Sequence, residues 1–185
     1  MTAHVALMLD LETLSLRPTA KVLQVGYCLA TLLPSGTATF TSPVDIWVDD
    51  PNGHVDPGTV EWWEKQNAGV RRAVFHLPEY ETRAGAKEVF ERLAKVMADH
   101  DVATVWASPA MFDLPILTNL WEGRKPWRYY VERDLYTLAK LLDASKALRP
   151  PANKSHHLAS ADAFWQARYL AALHSRAAEL GLQIS

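Results

Sequence analysis

Apolar and polar positions group along this chain into a short series of strands and helices. Val5 to Leu9 is an apolar run that ends at Asp10, with the length and composition of a short buried strand. Val22 to Thr31 carries Val22, Leu23, Val25, Tyr27 and Leu29 and predicts a second strand. The turn signal Arg17-Pro18-Thr19 separates the two. Pro34-Ser35-Gly36 marks a further turn. Thr37 to Val48 reads as a third strand, in which Pro43 signals an edge or a bulge. Three such strands in succession predict an antiparallel meander.

The pattern changes after a polar loop from Asp49 to Gly58. Asp56-Pro57-Gly58-Thr59 opens a helix that runs to about Gln66. A longer helix from about Glu81 to His100 places Ala86, Val89, Phe90, Leu93, Val96 and Met97 on one stripe. Val102 to Ala107 predicts a fourth strand. Phe112 to Trp121 predicts a helix with Asp113 near its N-cap and Pro115 in the first turn, where a missing N–H costs little. Trp127 to Val131 reads as a fifth strand, Asp134 to Leu142 as a helix and Leu148 to Ser155 as a Pro-rich loop. Leu158 to Leu180 reads as a final helix. A meander followed by alternating strands and helices predicts an α/β fold: a mixed β-sheet, three strands antiparallel and the rest parallel, flanked by helices. No repeat, low-complexity tract or linker divides the chain, so residues 1–185 read as one domain.

Composition narrows the function classes. Apolar residues make up 49% of the 185 and charged residues 22%, ordinary for a globular protein. No apolar run approaches the roughly 18 residues that span a bilayer, and Met1-Thr2-Ala3-His4 does not open a secretory signal. Cys28 is the single cysteine, so no internal disulfide forms and a cytoplasmic setting is expected. The net charge of −2 argues against a protein that coats long duplexes. It is compatible with an enzyme gripping a strand end, in which bound cations neutralise clustered acids.

Asp10-Leu11-Glu12 ends the first strand, and alternation puts both acids on one face, within roughly 7 Å of each other. Two like charges that close are unfavourable without a cation between them. Asp113 follows a strand and a short loop, the place where α/β proteins hold ligands, although taken alone a helix cap is its commoner role. Asp162 near the start of the last helix is, taken alone, an acid complementing the helix dipole. His157 precedes it by five residues and converges with it only from the loop before the helix. His156 competes for the same role, and spacing does not choose between them.

Together these residues resemble the DEDDh branch of the DnaQ-like exonucleases, with a ribonuclease H-like fold. Its three motifs appear in order as Met8-Leu9-Asp10-Leu11-Glu12-Thr13, as Val105 to Asp113 ending in Phe112-Asp113, and as His157-Leu158-Ala159-Ser160-Ala161-Asp162. The third motif selects His157. Ser108-Pro109-Ala110 departs from the Gly- or Asn-containing loop usual there. Thr59 to Gln66 and Arg133 to Leu138 further resemble the small phage and actinobacterial exonucleases of the Rv2179c type.

The resemblance implies a 3′→5′ exonuclease that releases nucleoside 5′-monophosphates from single-stranded or 3′-overhanging RNA or DNA, with RNA slightly favoured. It implies two Mg²⁺ or Mn²⁺ ions, held by Asp10, Glu12, Asp113 and Asp162, with His157 as general base. Thr13 and Leu14 are expected to cradle the terminal nucleotide. Trp62, Trp63, Phe112 and Trp106 are candidates for stacking on bases. The two helical tryptophans point about 100° apart, so at least one belongs to the core. Arg133, with Arg128, Lys125 and Arg124, is a candidate phosphate-binding edge, and Asp134 is expected to cap the helix that follows. Related enzymes are often homodimers, and the Trp-rich helices could supply such an interface. Two rival readings are a catalytically silent nucleic-acid-binding module on the same fold and a metal-dependent phosphohydrolase of short oligonucleotides.

Overall fold

The computed structural model describes residues 3–122, 125–143 and 145–184. In chain order the strands and helices are β1 (His4–Thr13), β2 (Val22–Leu32), β3 (Ala38–Phe40), β4 (Val44–Asp49), α1 (Pro57–Glu64), α2 (Ala68–Phe75), β5 (Ala84–Gly85), α3 (Ala86–Asp99), β6 (Thr104–Ala107), α4 (Ala110–Leu120), β7 (Glu132–Asp134), α5 (Leu135–Leu142) and α6 (Ala159–Glu179). Seven strands form one mixed sheet in the order β5-β4-β2-β1-β6-β7, with β3 also on β2. β2 lies antiparallel to β1, β3 and β4, whereas β6 is parallel to both β1 and β7. This is the predicted mixed sheet with helices on its faces.

The alternation of β1 explains the two cores. Leu7, Leu9 and Leu11 point to the face covered by α3 and α4, where they meet Val89, Phe90, Leu93, Ile116 and Leu117. Ala6 and Met8 point to the opposite face and meet Ala163, Ala167, Leu170 and Leu173 of α6. Asp10 and Glu12 continue that second set, so the strand delivers both acids to the α6 side.

α6 approaches the sheet closely because both surfaces are small. A Cβ on Gly26 would lie 2.0 Å from the carbonyl carbon of Ala159 and 2.3 Å from the Ser160 nitrogen, so only glycine fits beneath the first turn of the helix. Gly26 pairs with Asp10 on one side and Asp45 on the other, which sets these three residues in one row across the sheet. Asp45 accepts from the Ser160 N–H at 2.8 Å and from its hydroxyl at 2.7 Å, capping α6 from a neighbouring strand.

Several segments differ from the sequence reading. The expected strand over 37–48 is two strands, interrupted around Pro43, and both pair with β2. The expected strand over Trp127–Val131 is not one. Tyr129–Val131 form a 3₁₀ turn, and pairing with β6 begins only at Glu132. Tyr129 and Tyr130 are consecutive and both exposed, which breaks the alternation that a strand needs. α2 was not anticipated, and the long helix begins at Ala86 after the two-residue β5. α4 begins at Ala110, so its cap is Pro109 rather than Asp113, and Pro115 lies inside the helix. Among the described residues no helix is long and apolar enough to cross a membrane.

Candidate active site

A cleft of about 560 Å³ opens where β1, α1, α4 and the start of α6 meet. Asp10, Glu12, Asp113 and Asp162 all line it. Carboxylate oxygens of Asp10, Glu12 and Asp162 lie within 4.8 Å of one another. Asp113 reaches the cleft from the opposite layer, and its Oδ1 accepts the backbone N–H of Leu11 at 3.2 Å. The helix thus holds its acid against the strand that carries the other two.

The electrostatics follow from this crowding. Burial pushes the Asp10 carboxyl well above its usual range, and the nearby Asp113, Glu12 and Asp162 push the same way. Burial, then Asp162 and Asp113, raise Glu12 to about 8. Burial also raises Asp113 to about 7, against the opposing hydrogen bond from Leu11. Carboxylates that resist ionisation in this way are short of positive charge. Hard oxygen donors without a thiolate among them suit Mg²⁺ or Mn²⁺.

Asp162 organises the loop before α6. It accepts from Asn153 Nδ2 at 2.7 Å, from the backbone N–H of His157 at 2.7 Å, and pairs with His156 Nδ1 at 2.9 Å. The N–H of His157 is aimed by a left-handed backbone, φ 69°. Its ring stacks on that of His156 at 3.9 Å and meets Trp62 edge-on at 4.8 Å. Both histidines line the cleft. The side chain of His156 holds Asp162, whereas His157 does so through its backbone and leaves its ring toward Trp62. Burial lowers the pKa of His157, as does the neighbouring His156, against the opposing pull of Asp162.

The expected substrate contacts sort unevenly. Thr13 and Phe112 line the cleft. Trp63 also borders it but is only 2% exposed, with Nε1 donating to the Thr13 carbonyl at 2.9 Å. Its ring is committed to packing, and Trp62, 41% exposed, offers the open aromatic face. Leu14 packs on the small core around Trp63 instead of lining the cleft. Trp106 is buried under α6 and cannot stack on a base. Arg133 does not line this cleft; its guanidinium donates to the carbonyls of Tyr130, in the 3₁₀ turn, and Glu132, on the edge strand β7. Lys125 is paired with Glu132 and Arg128 stands over the Tyr130 ring, both away from the acids. Arg124 lies outside the described residues. Asp134 does cap α5, accepting from Thr137 N–H at 2.6 Å, and also accepts Ala110 N–H at 2.7 Å at the start of α4.

Sequence reasoning missed Asp45, Gln166 and Leu16. Leu16 is 77% exposed at the cleft mouth. Gln166 donates to Asp10 Oδ1 at 2.6 Å. Its spacing of four from Asp162 was a usable signal, since such residues share a helix face. Asp45 had no signal short of the strand register.

A family model for the "3'-5' exoribonuclease Rv2179c-like domain" matches residues 5–174. No curated protein matches the chain in sequence. Among solved structures, S. pombe Pop2p in its Mg²⁺- and Mn²⁺-bound form is similar, with a TM-score of 0.53 and 13% identity. The match covers 90% of this chain and 81% of that one. At that identity the likeness is one of fold, and it agrees with a ribonuclease H-like architecture.

Proposed function

Because this chain belongs to the family of Rv2179c-like 3′-5′ exoribonuclease domains, we propose that it shortens nucleic-acid strands from the 3′ end by a DEDDh-type mechanism, with RNA preferred over DNA. The observation that carries this reading is the convergence of Asp10, Glu12, Asp113 and Asp162 on one cleft. Residues 1–185 are read as a single DnaQ-like exonuclease domain.

In this reading Asp10, Glu12, Asp113 and Asp162 would hold two Mg²⁺ or Mn²⁺ ions, Asp10, Glu12 and Asp162 having carboxylate oxygens close enough to share one. When bound, such ions neutralise the phosphoryl group and activate water. The protein's own groups do the rest. His157 accepts a proton from the attacking water at a ring nitrogen, a task suited to an imidazole held neutral by its surroundings. The water oxygen joins phosphorus and the P–O3′ bond breaks. The departing nucleotide keeps its 5′-phosphate, the leaving O3′ takes a proton from solvent to become the new 3′-hydroxyl, and His157 returns its proton to solvent. Trp62 offers a stacking face worth roughly 1–3 kcal/mol per base. Thr13 and Phe112 bound the pocket for the terminal nucleotide.

The test is digestion of 5′-labelled 20-mers, matched RNA and DNA, single-stranded and overhung, with Mg²⁺, Mn²⁺ or chelator. A ladder shortening from the 3′ end, seen only with cation, is expected. Intact strands under every condition would end the reading. Cleavage of dinucleotides alone would replace it with a short-oligonucleotide hydrolase.

A further inference from the structure

Beyond its first turn, which carries the buried Ser160 and Asp162, the inner face of α6 is mostly apolar: Ala163, Ala167, Leu170 and Leu173 are fully buried. Gln166 interrupts it. It follows Asp162 by four residues, so it stands on the same helix face one turn deeper. It is 7% exposed, and its Nε2 donates to Asp10 Oδ1 at 2.6 Å. Its Oε1 is buried without a partner among the described residues. A buried amide with its acceptor unused costs folding free energy, and an apolar side chain would fill the site more favourably. Stability alone therefore gives no reason for a glutamine here. The bond to Asp10 does, because it occupies one carboxylate oxygen and restrains the rotation of the group, leaving Oδ2 free of that bond.

We infer that Gln166 is a positioning residue for Asp10, orienting its carboxylate so that Oδ2 is presented to the divalent cations. This rests on the nuclease reading above. It makes α6 a carrier of two site groups one turn apart: Asp162, placed as a ligand, and Gln166, which aims a ligand on another element. Both depend on the same close seat of α6 on Gly26.

The test is Mn²⁺ titration by calorimetry without substrate, on the full chain, for wild type, Gln166→Leu, Gln166→Asn and Leu170→Ala. Leucine keeps the bulk and removes the donor; asparagine keeps the amide but shortens its reach, and serves if the leucine variant does not fold. Both are expected to weaken Mn²⁺ binding by about 10–100-fold, the usual effect of losing a group that orients a metal ligand. In chelator the leucine variant should melt at or above wild type, whereas asparagine, which keeps a buried amide and loses its bond, should melt lower. Leu170→Ala should do the reverse of the leucine variant, melting lower while binding Mn²⁺ as wild type does. Unchanged Mn²⁺ affinity in both Gln166 variants, with wild type binding normally, would overturn the positioning role alone. Failure of wild type to bind Mn²⁺ would overturn the nuclease reading and this inference with it.

Discussion

The acids and the histidines of the cleft are held in different ways. Asp10 and Glu12 stand on the central strand β1, and Asp113 and Asp162 stand on helices packed against opposite faces of the sheet. Their directions follow from strand alternation and helix pitch, and both cores would have to give way to move them. His156 and His157 stand on the loop before α6. The His156 side chain is 65% exposed, and the segment is tied down mainly by three contacts to Asp162. Charge-bearing groups that must stay crowded are thus on rigid elements. Groups read as moving a proton are on a segment that one carboxylate organises.

Four experiments would break or sharpen this contrast. The largest effect is expected from Asp10→Ala on the rigid side. Nucleotide release should fall by more than about 10⁴-fold, as happens when one member of a set acting as a unit is removed. The metal-free fold should survive, since the change removes a crowded acid. Activity near wild type, read from labelled-strand digestion, would show that the convergence of acids is incidental.

On the loop side, His157→Ala should lower kcat by roughly 10²–10⁴-fold, the usual contribution of a general base. His156→Ala should cost about 10–100-fold through its hold on Asp162. The opposite ranking would transfer the proton-accepting role to His156 and leave His157 as its ring partner.

The rigid acids also predict an unusual pH response. Glu12 and Asp113 are raised in the folded state, to about 8 and about 7. Their contribution to stability is therefore fully present below the unfolded values near 4 and is lost as pH rises through 7 and 8. In chelator, the melting temperature should fall from pH 5 to pH 8.5. A divalent cation at 100 times its dissociation constant should restore about 2.7 kcal/mol. A melting temperature independent of both pH and cation would mean that the acids carry less mutual strain than their spacing implies.

The smallest effect tests the seat that joins the two regions. Gly26→Ala forces a methyl group against the first turn of α6. A loss of about 1–3 kcal/mol is expected in urea unfolding, as for other overpacked sites. Activity should fall as well, because Asp162 and the histidine loop move with that turn. Stability and activity both unchanged would show that α6 shifts without disturbing the cleft.

Much of this molecule could be read from one dimension. Alternation along Val5–Glu12 is a local property, so it set the strand, the shared face of Asp10 and Glu12, and their turn away from Leu9 and Leu11. The 3.6-residue period set most of α3. The motif order carried the family and its ribonuclease H-like fold. What the tertiary structure alone decided are relations between segments far apart in sequence, which local periodicity does not encode. Asp45 caps α6 only because β4 pairs with β2 level with Gly26. Gln166 meets Asp10 across 156 positions. Both tryptophans border the cleft, but Trp62 offers the exposed ring because α2 and Thr13 claim that of Trp63. Arg133 turns away because β7 is the edge of the sheet and its guanidinium serves nearby carbonyls. Side-chain direction within an element is fixed by backbone geometry a few residues long, whereas a meeting between elements depends on how the whole sheet and its layers close on one another.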